Sequence, residues 1–168
     1  KRMTKVQARL NTLKGDIEPA IRDFSARRLL QICCDATGKK LSRLKIRIEC
    51  EQDFTLPTDP DFMAVIVENL FINALEANSG GDTSVSIKIE KTDNRQAQIA
   101  FTDNGPGIAT QLLPDQLFEP FITSKVNGSG IGLWQVRQLV ESLNGRISAQ
   151  NAEEGGARFL LFIPATPS

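Results

Sequence analysis

The sequence predicts an α/β fold: a two-layer sandwich in which one mixed, mostly antiparallel sheet is covered on one face by helices. Apolar residues recur every three or four positions in several segments, which is the period of an amphipathic helix. Other, shorter segments alternate apolar and polar residues, as half-buried strands do. These two kinds of segment are interspersed along 168 residues, a length that suits one domain better than two.

The first half of the chain is predicted to contain helices and one clear strand. Val6, Leu10, Leu13 and Ile17 mark an apolar helix face over 1–18, which fits either a coiled-coil end or an ordinary amphipathic helix. Asp59 is a favourable N-cap, and the helix after it has Pro60 as its first residue. The predicted elements of this half, after the first helix, are a short strand at Asp23-Phe24-Ser25, a helix over about 26–40, a strand from Lys45 to Glu51, a connector at Leu56-Pro57-Thr58 and a helix over about 60–77.

The second half is predicted to contain two hairpins separated by a long loop and a helix. The loop covers 103–130, is rich in glycine and has no clear period apart from a short helix predicted near 111–118. Loops of this length inside compact domains are usually functional. The other predicted elements are strands over 84–90 and 96–102, a helix over about 131–143 that ends at Asn144-Gly145, and strands near 146–151 and 157–163.

Composition excludes several classes of protein. Twenty basic and twenty acidic residues give no net charge, which argues against a general nucleic-acid binder. The absence of histidine excludes histidine acid–base catalysis and Ser-His-Asp triads. Cys33, Cys34 and Cys50 form no CxxC pair, so we expect reduced thiols. No apolar run reaches the length of a membrane span. The sequence that starts at Lys1 has no signal-peptide pattern. We therefore expect a cytoplasmic piece of a longer protein, which other segments could anchor to a membrane.

Two segments of the chain carry residues suited to binding a base and a cation. Asn69 and Asn73 are four residues apart and share a face of the helix over 60–77. They fit either a buried hydrogen-bonding pair or oxygen ligands for a hard cation such as Mg²⁺. The second segment, Asp103-Asn104-Gly105-Pro106-Gly107, follows a strand directly. Its carboxylate can accept a hydrogen bond from the amino group of a planar base, while the glycines permit close approach.

Two further segments carry residues suited to phosphate. In the stretch from Leu117 to Lys125, we expect the two phenylalanines to anchor a loop, and Lys125 is open to being a plain surface charge. The stretch Gly128-Ser129-Gly130-Ile131-Gly132-Leu133 opens a helix and exposes consecutive N–H groups at its positive end. It is neither a Walker A loop nor a Rossmann fingerprint.

In their order along the chain, these segments resemble the N, G1, F and G2 boxes of one ATP-binding domain. Sensor histidine kinases, type II topoisomerases, Hsp90 chaperones and MutL repair proteins share that domain. The third and fourth segments look most like those of bacterial two-component sensor histidine kinases. The motif resemblance covers 59–163 and extends weakly back to about 23. It implies a Bergerat ATP-binding fold over 21–168, preceded by the end of a dimerisation helix and a linker over 1–20.

The resemblance also implies roles for individual residues. Asn73 would coordinate Mg²⁺ on the ATP phosphates, Asn69 would be a second polar contact, and Lys125 would meet the phosphates; these three would serve catalysis. Asp103 would bind the adenine amino group, and Phe118 and Phe121 would anchor an ATP lid over about 108–130. The other residues expected at the nucleotide are Gly105, Gly107, Ile108, Gly128, Ser129, Gly130, Ile131, Gly132 and Leu133.

The chain departs from the family pattern at three positions. Glu76 stands where many histidine kinases have lysine, and Ala157 stands where relatives often have threonine. In the ATPase relatives a glutamate four residues before the N-box asparagine activates water, whereas here that residue is Asn69 and Glu68 is one step around the helix. This difference favours phosphotransfer over hydrolysis.

The implied function is that of the ATP-binding catalytic domain of a sensor histidine kinase. It would transfer the γ-phosphate of ATP to a histidine on a dimerisation domain, for relay to an aspartate of a response regulator receiver domain. Because the chain has no histidine, the acceptor would lie outside it. We expect a homodimer for the whole protein, a monomer for this chain and no nucleic-acid partner. The alternatives are an anti-sigma-type protein serine kinase and a degenerate nucleotide-binding module that serves for docking.

Overall fold

The computed structural model describes residues 18–78, 81–122 and 130–165. The predicted N-terminal helix lies outside these residues, apart from its last position, and so do Lys125, Gly128 and Ser129. In chain order the elements are β1 (Arg22–Ser25), α1 (Ala26–Lys40), β2 (Leu44–Glu49), β3 (Thr55–Thr58), α2 (Pro60–Ala77), β4 (Thr83–Lys91), β5 (Gln96–Asp103), α3 (Gly132–Ser142), β6 (Arg146–Asn151) and β7 (Ala157–Pro164).

A five-stranded sheet in the order β2-β4-β5-β7-β6 forms one layer. Strands β2 and β4 are parallel, and the other three pairs are antiparallel. Both predicted hairpins are confirmed, β4 with β5 and β6 with β7. The mixed, mostly antiparallel sheet predicted from the alternating segments is therefore confirmed.

In the described part of the chain, three helices pack side by side on one face of this sheet, with α2 between α1 and α3. Alternate strand residues such as Ile87, Ile99 and Leu161 are completely buried beneath them. Phe71 of α2 meets Phe101 of β5 edge to face, with ring centroids 6.3 Å apart. Burial of each large side chain is worth about 1.5–3 kcal/mol, which makes this interface the core that fixes the position of α2.

Two predictions of local structure are wrong. The connector predicted at Leu56-Pro57-Thr58 is part of β3, which pairs antiparallel with β1 in a separate two-stranded sheet. Leu56 is fully buried, and Pro57 is tolerated because a two-stranded sheet has free edges. The helix predicted near 111–118 is instead two short 3₁₀ turns, Thr110–Leu112 and Gln116–Phe118, because Pro114 cannot continue a helix.

The predicted start of α2 is confirmed in detail. Asp59 caps the helix through Oδ1, which accepts hydrogen bonds from the backbone N–H groups of Asp61 (2.9 Å) and Phe62 (3.2 Å). Its other oxygen, Oδ2, accepts the N–H of Ala20 at 2.8 Å. One buried carboxylate thus joins the chain entering the domain to the N-terminus of the central helix.

The cysteines are free, as predicted, and they are buried rather than half-buried. Burial raises the pKa of the Cys33 thiol to about 11. Burial, with Cys33 and Asp35 nearby, raises the pKa of the Cys34 thiol to about 12. Both thiols are therefore protonated and unreactive near neutral pH. Among the helices that the structure describes, none is both long and apolar enough to cross a membrane.

We expect Asp59→Ala to lower the free energy of unfolding by about 2 kcal/mol, because it removes the helix cap and leaves buried N–H groups without an acceptor. Urea denaturation should show a lower midpoint with an unchanged slope. Asp93→Ala, in the exposed β4–β5 turn, is the control and should change little. If both variants unfold like the wild type, Asp59 does not hold the start of α2.

Candidate functional site

The carboxylate of Asp103 lies at the end of β5, where three backbone segments meet. The residue is only 7% exposed, and its Oδ1 accepts the N–H groups of Gly105 (2.9 Å) and Ala157 (3.1 Å). Within the described residues both of these hydrogen bonds go to Oδ1, so Oδ2 remains available to accept one from a ligand. Asp103 is therefore a fixed acceptor at the C-terminal end of the central strand.

Glycines make this crowding possible. Gly156 has a φ of +86°, and a Cβ there would lie 1.9 Å from the carbonyl oxygen of Asp103. A Cβ at Gly105 would lie 3.1 Å from Oδ1 of the same residue. The sequence singled out Gly105 but missed Gly156, although the adjacent pair Gly155-Gly156 in a hairpin turn was a signal of positive φ.

The loop after Asp103 is fastened to β6 through Asn151. Its Oδ1 accepts the N–H of Ile108 at 2.7 Å, and its Nδ2 donates to the carbonyl oxygen of Ile108 at 2.9 Å. Gly107, with a φ of +86°, has no room for a Cβ, which would lie 2.7 Å from Asn151 Oδ1. Asn151 was missed because its only sequence signal is an asparagine at the end of a strand.

The C-terminal end of α2 is tied to the same loop. Asn104 accepts the N–H of Ser84 at 2.9 Å and donates to the carbonyl oxygen of Asp82 at 2.9 Å. Asn78, the C-cap of α2, donates to Asn104 Oδ1 at 3.4 Å and to the same Asp82 carbonyl at 3.1 Å. These amides set the distance between α2 and the loop that follows Asp103.

The asparagine face of α2 meets the start of α3. Asn69 and Asn73 are both half-buried, one turn apart. The amide Nδ2 of Asn69 donates to the carbonyl oxygen of Val65 at 3.0 Å. Its Oδ1 faces Gly132, where a Cβ would lie 3.3 Å away. Glu68 instead pairs with Lys40 of α1 at 3.6 Å, on another side of the helix.

Within the described residues, no side chain caps the start of α3. The N-cap Ile131 offers no side-chain hydrogen bond to the first turn, which begins at Gly132. Gly130, with a φ of +68°, accepts the N–H of Phe121 through its carbonyl at 3.0 Å. The N–H groups at such a helix start, together with the positive end of the dipole, favour phosphate. Leu133 is half-buried beside them.

The two phenylalanines of the third segment have different environments. Phe118 is fully buried and packs edge to face on Phe159, with centroids 6.1 Å apart. Glu119 next to it pairs with Arg137 of α3 at 3.0 Å. Phe121 is 76% exposed, so the prediction that it anchors the loop is wrong. Its backbone has a φ of +67°, and its N–H donates to the carbonyl oxygen of Gly130.

Helix α2 connects the two groups of predicted site residues. Asp103, Gly105, Gly107 and Ile108 lie near its C-terminus, where a Cβ at Gly105 would contact Ala77 and Asn78 at 3.9 Å. Asn69, which faces Gly132, lies nine residues before Asn78 on α2. This separation corresponds to about 14 Å along the helix axis. No group of three or more His, Cys, Asp or Glu side chains in the described part of the chain is placed to hold a metal. The predicted site residues Lys125, Gly128 and Ser129 lie outside the described residues.

An acceptor for an amino group at one end, and helix N–H groups that no described side chain caps at the other, suit a ligand with a base and a phosphate chain. The fold and site therefore define a nucleotide-binding domain. Residues 58–167 match the family model described as "Histidine kinase-, DNA gyrase B-, and HSP90-like ATPase", and the chain belongs to this family.

Curated and solved relatives are histidine kinases. The sensor histidine kinase ZraS of Escherichia coli O157:H7 is 29% identical over 166 residues, which cover 97% of the chain and 36% of ZraS. The chain thus spans about a third of the length of this relative. The catalytic domain of histidine kinase ThkA has a TM-score of 0.75 at 25% identity and covers 88% of the chain and 97% of its own.

Two further structures resemble the chain in fold. Full-length ShkA in complex with AMPPNP has a TM-score of 0.76 at 22% identity, over 92% of the chain and 33% of ShkA. ThkA in complex with the response regulator protein TrrA has a TM-score of 0.73 at 24% identity, over 88% of the chain and 42% of its own. The predicted fold, family and ATP-binding function are confirmed, and neither the serine kinase nor the docking module gains support.

We expect Gly156→Ala to be far more harmful than Gly155→Ala. Both residues have positive φ, so each alanine carries a conformational cost of about 1–2 kcal/mol. Only at residue 156 would the new methyl group collide with Asp103, whereas nothing lies within 4 Å at residue 155. We expect about 2 kcal/mol of additional destabilisation in urea and weaker ATP binding for Gly156→Ala alone. Equal stability and affinity of the two variants would contradict the packing around Asp103.

Proposed function

We propose that the chain is the catalytic part of a protein histidine kinase, which binds ATP with Mg²⁺ and transfers the γ-phosphate to a histidine supplied from outside the chain. The observation that carries the proposal is the environment of Asp103. Two backbone N–H groups on Oδ1 hold the carboxylate in place and leave Oδ2 for the base.

Asp103 would select adenine through the charge of its carboxylate. The 6-amino group of adenine donates a hydrogen bond, so a carboxylate oxygen is a suitable partner. Guanine has a carbonyl oxygen at that position, which a carboxylate repels. The Cβ positions at Gly105 and Gly107 are crowded by Asp103 and Asn151, so this loop would present backbone rather than side chains to a flat ring. Ile108 is half-buried at the end of this loop and would contact the base.

The face formed by Asn69, Asn73 and Gly132 would hold the phosphates. An amide oxygen is a hard donor that suits Mg²⁺, and this cation is typically held by few protein ligands, with waters and phosphate oxygens completing its shell. A single amide, that of Asn73, fits this requirement. Gly132 has no Cβ to fill the space beside Asn69, so phosphates can approach the first N–H groups of α3. Bound Mg²⁺ would neutralise charge on the phosphates.

The remaining predicted residues would complete the phosphate end. Gly130 and Ile131 directly precede the first residue of α3, and Leu133 is the second residue of that helix. Lys125, Gly128 and Ser129 would add a cation and backbone N–H groups from the segment between Phe121 and Gly130. Phe118, buried on Phe159, would fix where that segment begins.

The site supports transfer better than hydrolysis. Hydrolysis requires a base that activates water, and Glu68 is paired with Lys40 of α1 rather than directed along the asparagine face. Phosphoryl transfer depends mainly on positioning and charge stabilisation, which amide dipoles and Mg²⁺ can provide. The acceptor histidine would come from a dimerisation domain of a homodimeric whole protein, because the chain contains none. A response regulator would then receive the phosphate, as the complex of the similar kinase ThkA with TrrA suggests.

We expect Asp103→Asn to weaken ATP binding about tenfold to a hundredfold, the value of one hydrogen bond to a charged group. Asparagine can still accept the N–H groups of Gly105 and Ala157 through Oδ1, so the fold should persist. It would, however, present an N–H group to the amino group of adenine. Calorimetric titration of the chain with ATP and GTP should show weaker ATP binding and less discrimination against GTP. If the affinity for ATP and the preference over GTP are both unchanged, Asp103 serves only the structure of the turn and does not bind the base.

We expect Asn73→Ala to reduce phosphotransfer about a hundredfold in a protein extended upstream to include the acceptor helix, because the Mg²⁺ ligand is lost. The extended protein is incubated with labelled ATP, and acid lability identifies phosphohistidine. Asn94→Ala, in an exposed turn, is the control and should label normally with the same melting temperature. Normal labelling of the Asn73 variant would show that Asn73 does not hold the Mg²⁺. Acid-stable labelling would contradict the proposal that the protein is a histidine kinase.

A further inference from the structure

We propose that Asn151 is a positioning residue for the base end of the nucleotide site, where it acts through the backbone of Gly107 and Ile108. The inference rests on the proposed function, because it assigns the loop from Gly105 to Ile108 to the base. Asn151 itself would not touch the nucleotide.

The side chain of Asn151 satisfies both backbone groups of one residue. It accepts the N–H of Ile108 at 2.7 Å and donates to the carbonyl oxygen of Ile108 at 2.9 Å. The two residues are 43 positions apart in the chain, so this is a tertiary contact between β6 and the loop. Asparagine mimics here the pair of hydrogen bonds that a neighbouring strand would make.

The same end of the hairpin also holds Asp103. Asn151 lies directly opposite Ala157 in the register of β6 and β7. The N–H of Ala157 donates to Asp103 Oδ1, while Asn151 fastens the loop that follows Asp103. The last hairpin therefore fixes the position of the carboxylate and of the glycine loop relative to each other.

The loop needs such an external contact because it has no regular secondary structure. Its approach to β6 is close enough that a Cβ at Gly107 would lie 2.7 Å from Asn151 Oδ1. A loop already held in its binding conformation loses less conformational entropy when a ligand binds, and the affinity is higher by that amount. Asn151 would contribute to affinity in this indirect way.

Only an amide of this length meets the geometry. Aspartate would keep the acceptor for the N–H of Ile108 but would place a charge against its carbonyl oxygen. Serine is too short to reach both groups. Asn151→Asp is therefore an informative companion to Asn151→Ala. Aspartate has nearly the same size as asparagine, so this variant changes the hydrogen bonding without removing the side chain.

The experiment titrates ATP into the chain by calorimetry for the wild type, Asn151→Ala and Asn151→Asp. We expect Kd to rise about tenfold in both, the effect of about one to two lost hydrogen bonds. Gln150→Ala is the matched control: Gln150 precedes Asn151 on β6, is exposed, and by strand alternation points to the opposite face. Its Kd should stay within about twofold of the wild type.

A second measurement separates positioning from general destabilisation. Amide exchange followed by NMR should show the Ile108 N–H protected in the wild type and unprotected in Asn151→Ala, while amides of α2 stay protected in both. The ratio of ATP to GTP affinity should fall in the same variant, which loss of stability alone would not cause.

Each outcome decides a different claim. If Asn151→Ala and Asn151→Asp bind ATP like the wild type, the inference is overturned and the proposed function stands. If the Ile108 amide exchanges freely in the wild type, the inference is overturned whatever the affinities. If the wild type itself binds no ATP, the proposed function fails, and with it the inference that depends on it.

Discussion

The loop that directly follows β5 and the last hairpin, 54 residues further along the chain, converge on the carboxylate of Asp103. Backbone N–H groups of Gly105 and Ala157 bind Oδ1, and Gly156 packs against the carbonyl oxygen of the same residue. Hydrogen bonds to a charged group contribute about 1.5–3 kcal/mol each. Because both donors belong to the backbone, Ala157 serves as well as a threonine would for this contact. The departure from the family pattern therefore leaves the position of Asp103 intact.

The central helix, α2, links the surroundings of this carboxylate to the start of α3. At its C-terminus Asn78 and Asn104 share hydrogen bonds beside the loop after Asp103, and earlier along it Asn69 faces the start of α3. At its N-terminus Asp59 accepts the N–H of Ala20 from the chain that enters the domain. A single helix therefore relates the proposed base end and the proposed phosphate end of the site to the point where the chain enters the domain.

The sequence alone was sufficient for what depends on local pattern. The bounds of α1 and α2, the cap at Asp59 and the place of Asp103 at the end of β5 follow from periodicity, capping chemistry and residue type. Asn151 could not be found in this way, since its partner Ile108 is 43 residues distant and no local preference marks the contact. The exposed ring of Phe121 was also beyond prediction, because a loop without a period gives no indication of which side chains are buried. Tertiary contacts between loops decide both cases.

The central claim is that Asp103 accepts a hydrogen bond from the 6-amino group of adenine. A chemical double-mutant cycle tests it most directly: the wild type and Asp103→Asn are titrated with ATP and with purine riboside triphosphate, which lacks that amino group. We expect a coupling free energy of about 1.5–3 kcal/mol between Asp103 and the amino group. The wild type would then prefer ATP strongly and the variant would not. A coupling near zero, with both proteins showing the same preference, would contradict the account.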